Sequence, residues 1–265
     1  MRNTLNVKPT QKRWMTTALA ATLGLSAAWS HAAPTSQENT VSEAQAVNNR
    51  LSSTQQAIIP IAAFAAEGDI KKLNAALEQG LDAGLTVSDA REVLTQVYAY
   101  AGFPRSLNAL GELMKVLEAR KTRGITDAPG VAPSKPIPKG DALLEAGTNN
   151  QTKLIGSPVK GPLFDFAPAI DEYLKTHLFG DIFGRDNLDW QSREIATVSM
   201  LAVLPGAEAQ VESHIRVSKN VGLTADQLSQ LADVLSTRVS PEAGKRAREA
   251  LAQVESQVES AASRR

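Results

Sequence analysis

Leu73-Asn-Ala-Ala-Leu-Glu-Gln-Gly-Leu-Asp-Ala-Gly-Leu-Thr86 and Val211-Glu-Ser-His-Ile-Arg-Val-Ser-Lys-Asn-Val-Gly-Leu-Thr224 lie 138 positions apart and align without a gap. In the first, Leu73, Leu77 and Leu81 recur every four residues, the spacing of one helix face. Gly84 and Gly222 fall where such a helix ends in a left-handed residue, which glycine adopts at no steric cost. Thr86 and Thr224 then serve as N-caps, with Asp89 and Gln227 three positions on in a capping-box arrangement. The same shift carries Gly68 onto Gly206, and Ala90, Val93 and Val97 onto Leu228, Leu231 and Leu235. The expectation is an all-α protein built on a duplicated helical hairpin.

The rest of the chain agrees with that expectation. Ile58, Ile61 and Ala62 begin another apolar stripe, and Leu107, Leu110, Met114 and Leu117 form one more. Aromatic residues make up only 5% of the 265, which favours helices over sheets. Zero cysteines exclude thiol catalysis, redox-active CxxC pairs, cysteinyl zinc sites and iron–sulfur clusters. A formal charge of zero argues against a nucleic-acid partner.

That neutrality is an average. Arg2, Lys8, Lys12 and Arg13 precede an apolar run from Trp14 to Trp29, and Ser30-His31-Ala32 supplies small residues at a cleavage site. This three-part layout predicts a secretory signal peptide over residues 1–32, hence a secreted protein of the bacterial periplasm with no membrane anchor after cleavage. Its removal leaves 24 basic against 28 acidic side chains, a net charge of −4. Residues 33–50 read as a flexible polar leader. A first helical block spans residues 51–123, and a linker rich in Pro and Gly spans 124–162, with at most a helical turn at Leu143-Leu144-Glu145. A second block covers residues 163–258, and 259–265 form a tail.

The duplication isolates one chemical difference. His214 stands on the face of Val211, Ile215 and Ser218, where the first block carries Ala76. An imidazole there needs a partner, because an unsatisfied buried polar group costs about 1–3 kcal/mol. Two readings stay open: a general acid/base with a pKa near neutrality, or a core histidine bonded to a carbonyl.

Leu178-Phe-Gly-Asp-Ile-Phe-Gly-Arg-Asp186, Leu188-Asp-Trp-Gln-Ser-Arg-Glu-Ile-Ala196 and His214, eight residues before Gly222-Leu-Thr, together resemble the carboxymuconolactone decarboxylase family. Arg91-Glu-Val-Leu-Thr-Gln-Val-Tyr-Ala-Tyr-Ala-Gly-Phe-Pro104 resembles the family's segment after its histidine helix. The resemblance implies an alkylhydroperoxidase D-like all-helical subunit, a homo-oligomer (trimer or hexamer), with pockets between helices and subunits. It makes His214 the match to the family's histidine and a carboxy-lyase acting on a small carboxylated lactone the implied activity. The peroxidatic branch carries a CxxC pair whose positions fall here near Ala207 and Gln210, so its redox chemistry is missing.

Four residues form the candidate site. His214 would move the proton, and Glu194, twenty positions earlier, would orient the imidazole across the Pro205-Gly206 turn. Glu194 is equally well read as an acid in the first turn of a helix capped by Asp189. Arg193 and Arg185 would hold a substrate carboxylate. Against this, Arg193 fits an interhelix salt bridge, and Arg185 lies four residues from Asp181, the spacing of a helix-surface ion pair. Tyr98, Tyr100 and Phe103 read as core or interface aromatics, and His177 as exposed. With His177 and His214 thirty-seven residues apart, no cofactor or metal is expected. The alternative to catalysis is a helical oligomer that binds a small ligand or a protein.

Overall fold

Ser52 opens the first helix with a full capping box: its side chain accepts from the Gln55 backbone while Gln55 reaches back to the Ser52 amide. The computed structural model describes residues 49–264; the expected signal peptide and residues 33–48 of the expected leader lie outside them. The first half holds α1 (Ser53–Glu67), α2 (Ile70–Asp82), α3 (Val87–Ala101) and α4 (Phe103–Thr122). After it come α5 (Asp141–Ile155), the short α6 (Pro162–Phe166) and α7 (Pro168–Tyr173), and a π-helix, Leu174–Ile182. The second half holds α8 (Trp190–Ala202), α9 (Glu208–Asn220), α10 (Ala225–Arg238) and α11 (Pro241–Ala262). Among the described residues there is no strand and no helix long and apolar enough to cross a membrane.

The duplication extends well beyond the hairpin. Both ends of α2 and α9, and the first residues of α3 and α10 and of α4 and α11, stand 138 positions apart. The Gly-Leu-Thr turns are built alike. Leu85 N–H donates to Gly80 O, and Leu223 N–H to Ser218 O, both at 2.9 Å, closing a Schellman motif around Gly84 (φ +94°) and Gly222 (φ +97°). Thr86 with Asp89, and Thr224 with Gln227, form the two capping boxes that the spacing predicts.

The two halves share a core. In α1 every residue from Ala57 to Ala66 is buried, and in α8 every residue from Ser192 to Ala202. A helix apolar or buried all round belongs at a centre, and these two pack on each other there. Each also reaches across to the other half, α1 to α10 and α8 to α3. One cluster therefore runs from Leu51 through Leu73, Val97, Ile195 and Ile215 to Val254.

Residues 124–162 are not the simple linker expected from their prolines and glycines. They contain the fifteen-residue α5, which packs on the π-helix. A Cβ on Gly147 would lie 1.7 Å from the Lys175 carbonyl oxygen and 3.1 Å from the Gly180 nitrogen, so the two backbones nearly touch. Leu154 joins Leu178, Phe179, Ile182, Phe183 and Val217 in a second cluster, and Asn220 Nδ2 caps the end of α5 at the Leu154 and Ile155 carbonyls (3.1 and 3.0 Å).

Candidate functional site

The turn after α8 brings α9 back alongside it, so His214 lies against Glu194. Nδ1 of His214 is 2.8 Å from Glu194 Oε2. The Glu194 side chain is fully buried and that of His214 is 15% exposed. A carboxylate at Nδ1 takes that nitrogen's proton as a donor, which leaves the Nε2 lone pair as the free one. Nε2 has no hydrogen-bond partner among the described residues and is not sealed from solvent. The imidazole is thus neither a core histidine on a carbonyl nor freely rotating. Glu194 orients it.

Tyr100 forms one wall. Its ring meets the imidazole edge-on, with centroids 5.8 Å apart and planes at 79°. Burial, then the Glu194 carboxylate, push its phenol well above the ordinary tyrosine range, so the hydroxyl keeps its proton. Thr197 Oγ1 lies 3.3 Å from that hydroxyl and accepts from Gln96 Nε2 at 2.8 Å.

Gln96 leads into a buried network centred on Glu92. Arg193, entirely inside, donates from one terminal nitrogen to Glu92 Oε2 (3.0 Å) and the Arg185 carbonyl (3.1 Å), and from the other to Gln96 Oε1 (3.3 Å). Arg185 grips the same Glu92 carboxylate through Nε (2.9 Å) and a terminal nitrogen (2.7 Å), and Asn187 adds a third donor at 3.1 Å. Burial works against ionisation of Glu92, but the hydrogen bonds from Arg185, Asn187 and Arg193 outweigh it and hold its pKa at about 2.

Arg193 thus makes the interhelix salt bridge that was the alternative to substrate binding, while Arg185, also bonded to Glu92, keeps a side chain that is 35% exposed. Asp181 is not the partner of Arg185; it pairs with His177 at 3.1 Å. Arg185 lies past the end of the π-helix and turns to Glu92, 93 positions away.

Comparison of the halves sharpens the site. Position 194 maps to Gln56 in the first half and position 214 to Ala76. Both members of the pair are replaced together, and Gln56 instead donates to the Leu51 carbonyl at 2.9 Å. Tyr100, Gln96 and Glu92 were not legible as site residues, because they reach the second half from α3 of the first.

A duplicated four-helix unit, with a fully buried carboxylate against an imidazole in its second half alone, defines an all-helical protein. The family model of the carboxymuconolactone decarboxylase family matches residues 34–114 and 168–256, more than half of the chain, and the chain belongs to that family. No curated protein matches it.

Proposed function

We propose that the protein is a carboxymuconolactone-decarboxylase-like carboxy-lyase in which the Glu194–His214 pair moves a proton at carbon on a small carboxylated lactone or enolisable acid. The observation that carries this reading is the 2.8 Å contact that orients the ring and leaves Nε2 free. As CO₂ leaves, the electron pair of the broken C–C bond passes into the adjoining conjugated carbonyl to give an enolate. Protonated His214 then delivers its Nε2 proton to the carbon, and solvent reprotonates the ring. Glu194 stabilises the imidazolium during the cycle. Tyr100, held protonated, offers a hydroxyl beside the ring. No thiol takes part, since the chain has no cysteine. The basic, apolar, small-residue order of residues 1–32 supports work in the periplasm, on substrates that reach it there.

Assay of purified protein on γ-carboxymuconolactone and related carboxylated lactones tests the proposal, with CO₂ release as the readout. His214→Gln is expected to lower turnover by roughly two orders of magnitude or more, the scale of general acid/base loss. Unchanged turnover in that variant sinks it. A non-catalytic binding oligomer takes support from the first half, where Gln56 and Ala76 keep the fold without the pair. It gains if wild-type protein consumes no lactone and His214→Gln changes only the melting temperature.

A further inference from the structure

Helix α5 buries Gly147, Gln151 and Leu154, at steps of four and three. Gly147 lets the π-helix backbone approach and Leu154 joins an apolar cluster, so both have a packing role. Gln151 is different. It is only 3% exposed, and its carboxamide makes no hydrogen bond among the described residues. Neither the oxygen nor the nitrogen of that amide is sealed from open space. Gln96, also buried, shows how the fold treats such a group where it has no outlet. Its nitrogen donates to the Arg193 carbonyl and to Thr197 Oγ1, at 3.0 and 2.8 Å, and its oxygen accepts from Arg193.

Gln151 opens onto a cleft of about 670 Å³ bounded by α5, the chain from Pro158 to Asp165, α7 and the start of the π-helix. That volume suits a small molecule, whose sites run to roughly 300–1,000 Å³. Glu194, His214 and Tyr100 take no part in its walls. Most of the wall comes from residues 115–167, which lie between the two regions that the family model matches. The cleft is thus a feature of the segment that joins the duplicated halves.

The wall chemistry narrows what fits. Lys175 spends its charge on Asp171, one turn away. Lys160 and Asp165 also border the cleft and form no ion pair among the described residues. A carboxamide donates at nitrogen and accepts at oxygen, so Gln151 suits a group that offers an acceptor and a donor side by side. Pro158, Phe164 and Pro168 add an apolar stretch to the same cleft.

We propose that this cleft binds a small zwitterion, an α-amino acid with an apolar side chain, at a site separate from the Glu194–His214 pair. Gln151 donates from Nε2 to its carboxylate and accepts at Oε1 from its ammonium. Lys160 adds a cation for the carboxylate and Asp165 an anion for the ammonium, charge-assisted contacts that are stronger than neutral ones. The apolar side chain lies on Phe164 and the two prolines. A carboxylate alone would be repelled by Asp165, and an amine alone by Lys160. A zwitterion satisfies both.

Isothermal titration of the purified protein with L-phenylalanine tests the proposal. The comparison compounds are N-acetyl-L-phenylalanine, which lacks the ammonium, and L-phenylalaninamide, which lacks the carboxylate. Phenylalanine is expected to bind at one site per chain, roughly tenfold or more tightly than either, the scale of one hydrogen bond to a charged group. Gln151→Leu is expected to weaken binding by a similar factor while the melting temperature holds or rises, because it removes a buried amide that has no partner. Lys160→Met should erase the advantage over phenylalaninamide, and Asp165→Asn the advantage over the N-acetyl compound. Both side chains are exposed, so neither change threatens the fold. His214→Gln should leave the titration unchanged, which separates this site from the decarboxylation. No binding, equal affinities for the three compounds, full affinity in Gln151→Leu, or loss of binding in His214→Gln each overturns the proposal.

Discussion

Arg193 of α8 donates to Glu92 of α3 across 3.0 Å, and neither side chain has appreciable contact with water. The pair ties the central helix of the second half to the first half, beneath the Tyr100 wall of the site. Burying two charges is costly, and its value shows when one is removed and the other stays inside. Arg193→Met leaves Glu92 with Arg185 and Asn187, so the expected loss is near the lower end of the range for broken buried pairs, about 3 kcal/mol. For a domain of this size that is a fall in melting temperature of roughly 6–12 °C, read by calorimetry.

Glu92 also gives the fold a predictable acid sensitivity. Its pKa is held at about 2 against an ordinary 4.5, so the folded state binds this proton more weakly than the unfolded chain does. The stabilisation is complete above about pH 4.5 and is lost as pH falls towards 2, amounting to roughly 3 kcal/mol. Melting temperature against pH should therefore fall more steeply over that window in wild type than in Glu92→Gln. Parallel curves for the two proteins would remove Glu92 from the account.

The repeat was legible for a local reason. Leu73, Leu77 and Leu81, the Gly-Leu-Thr turns and their capping residues announce themselves within a dozen positions, and a duplicated pattern confirms itself. The pairing of His214 with Glu194 was legible too, because one tight turn separates their helices. The Glu92–Arg193 contact joins residues 101 positions apart and has no local signature. Helix α5 was hidden differently: its packed residues are Gly147, Gln151 and Leu154, a buried face at helical spacing whose first two members are not apolar. Hydrophobic periodicity cannot register a face built for close approach.

The site's own coupling is open to a double-mutant cycle. Glu194 is fully buried, its Oε1 has no hydrogen-bond partner among the described residues, and His214 is the partner of its Oε2. His214→Ala leaves a buried carboxylate unpaired and is expected to cost about 1–3 kcal/mol. Adding Glu194→Gln recreates the Gln56 and Ala76 combination of the first half, and should recover most of that loss. The two changes are in contact, so strong non-additivity in chemical denaturation is the expected result. Simple additivity would mean that the pair is not coupled.

Gly147 tests how α5 is held. Its missing side chain lets α5 lie directly on the π-helix, with the Lys175 carbonyl oxygen 1.7 Å from where a Cβ would sit. That atom is backbone, so no side-chain rotation can make room. Gly147→Ala must push the helices apart, even though alanine is the better helix former at an ordinary position. Separation loosens Leu154 from Leu178, Phe179 and Ile182, and overpacking of this kind costs typically 1–3 kcal/mol. The main core from Leu51 to Val254 does not include these residues. Hydrogen exchange should therefore quicken in residues 141–155 and 174–182 while α1 and α8 keep their protection. Uniform acceleration through all four segments would show that α5 and the π-helix unfold only with the core.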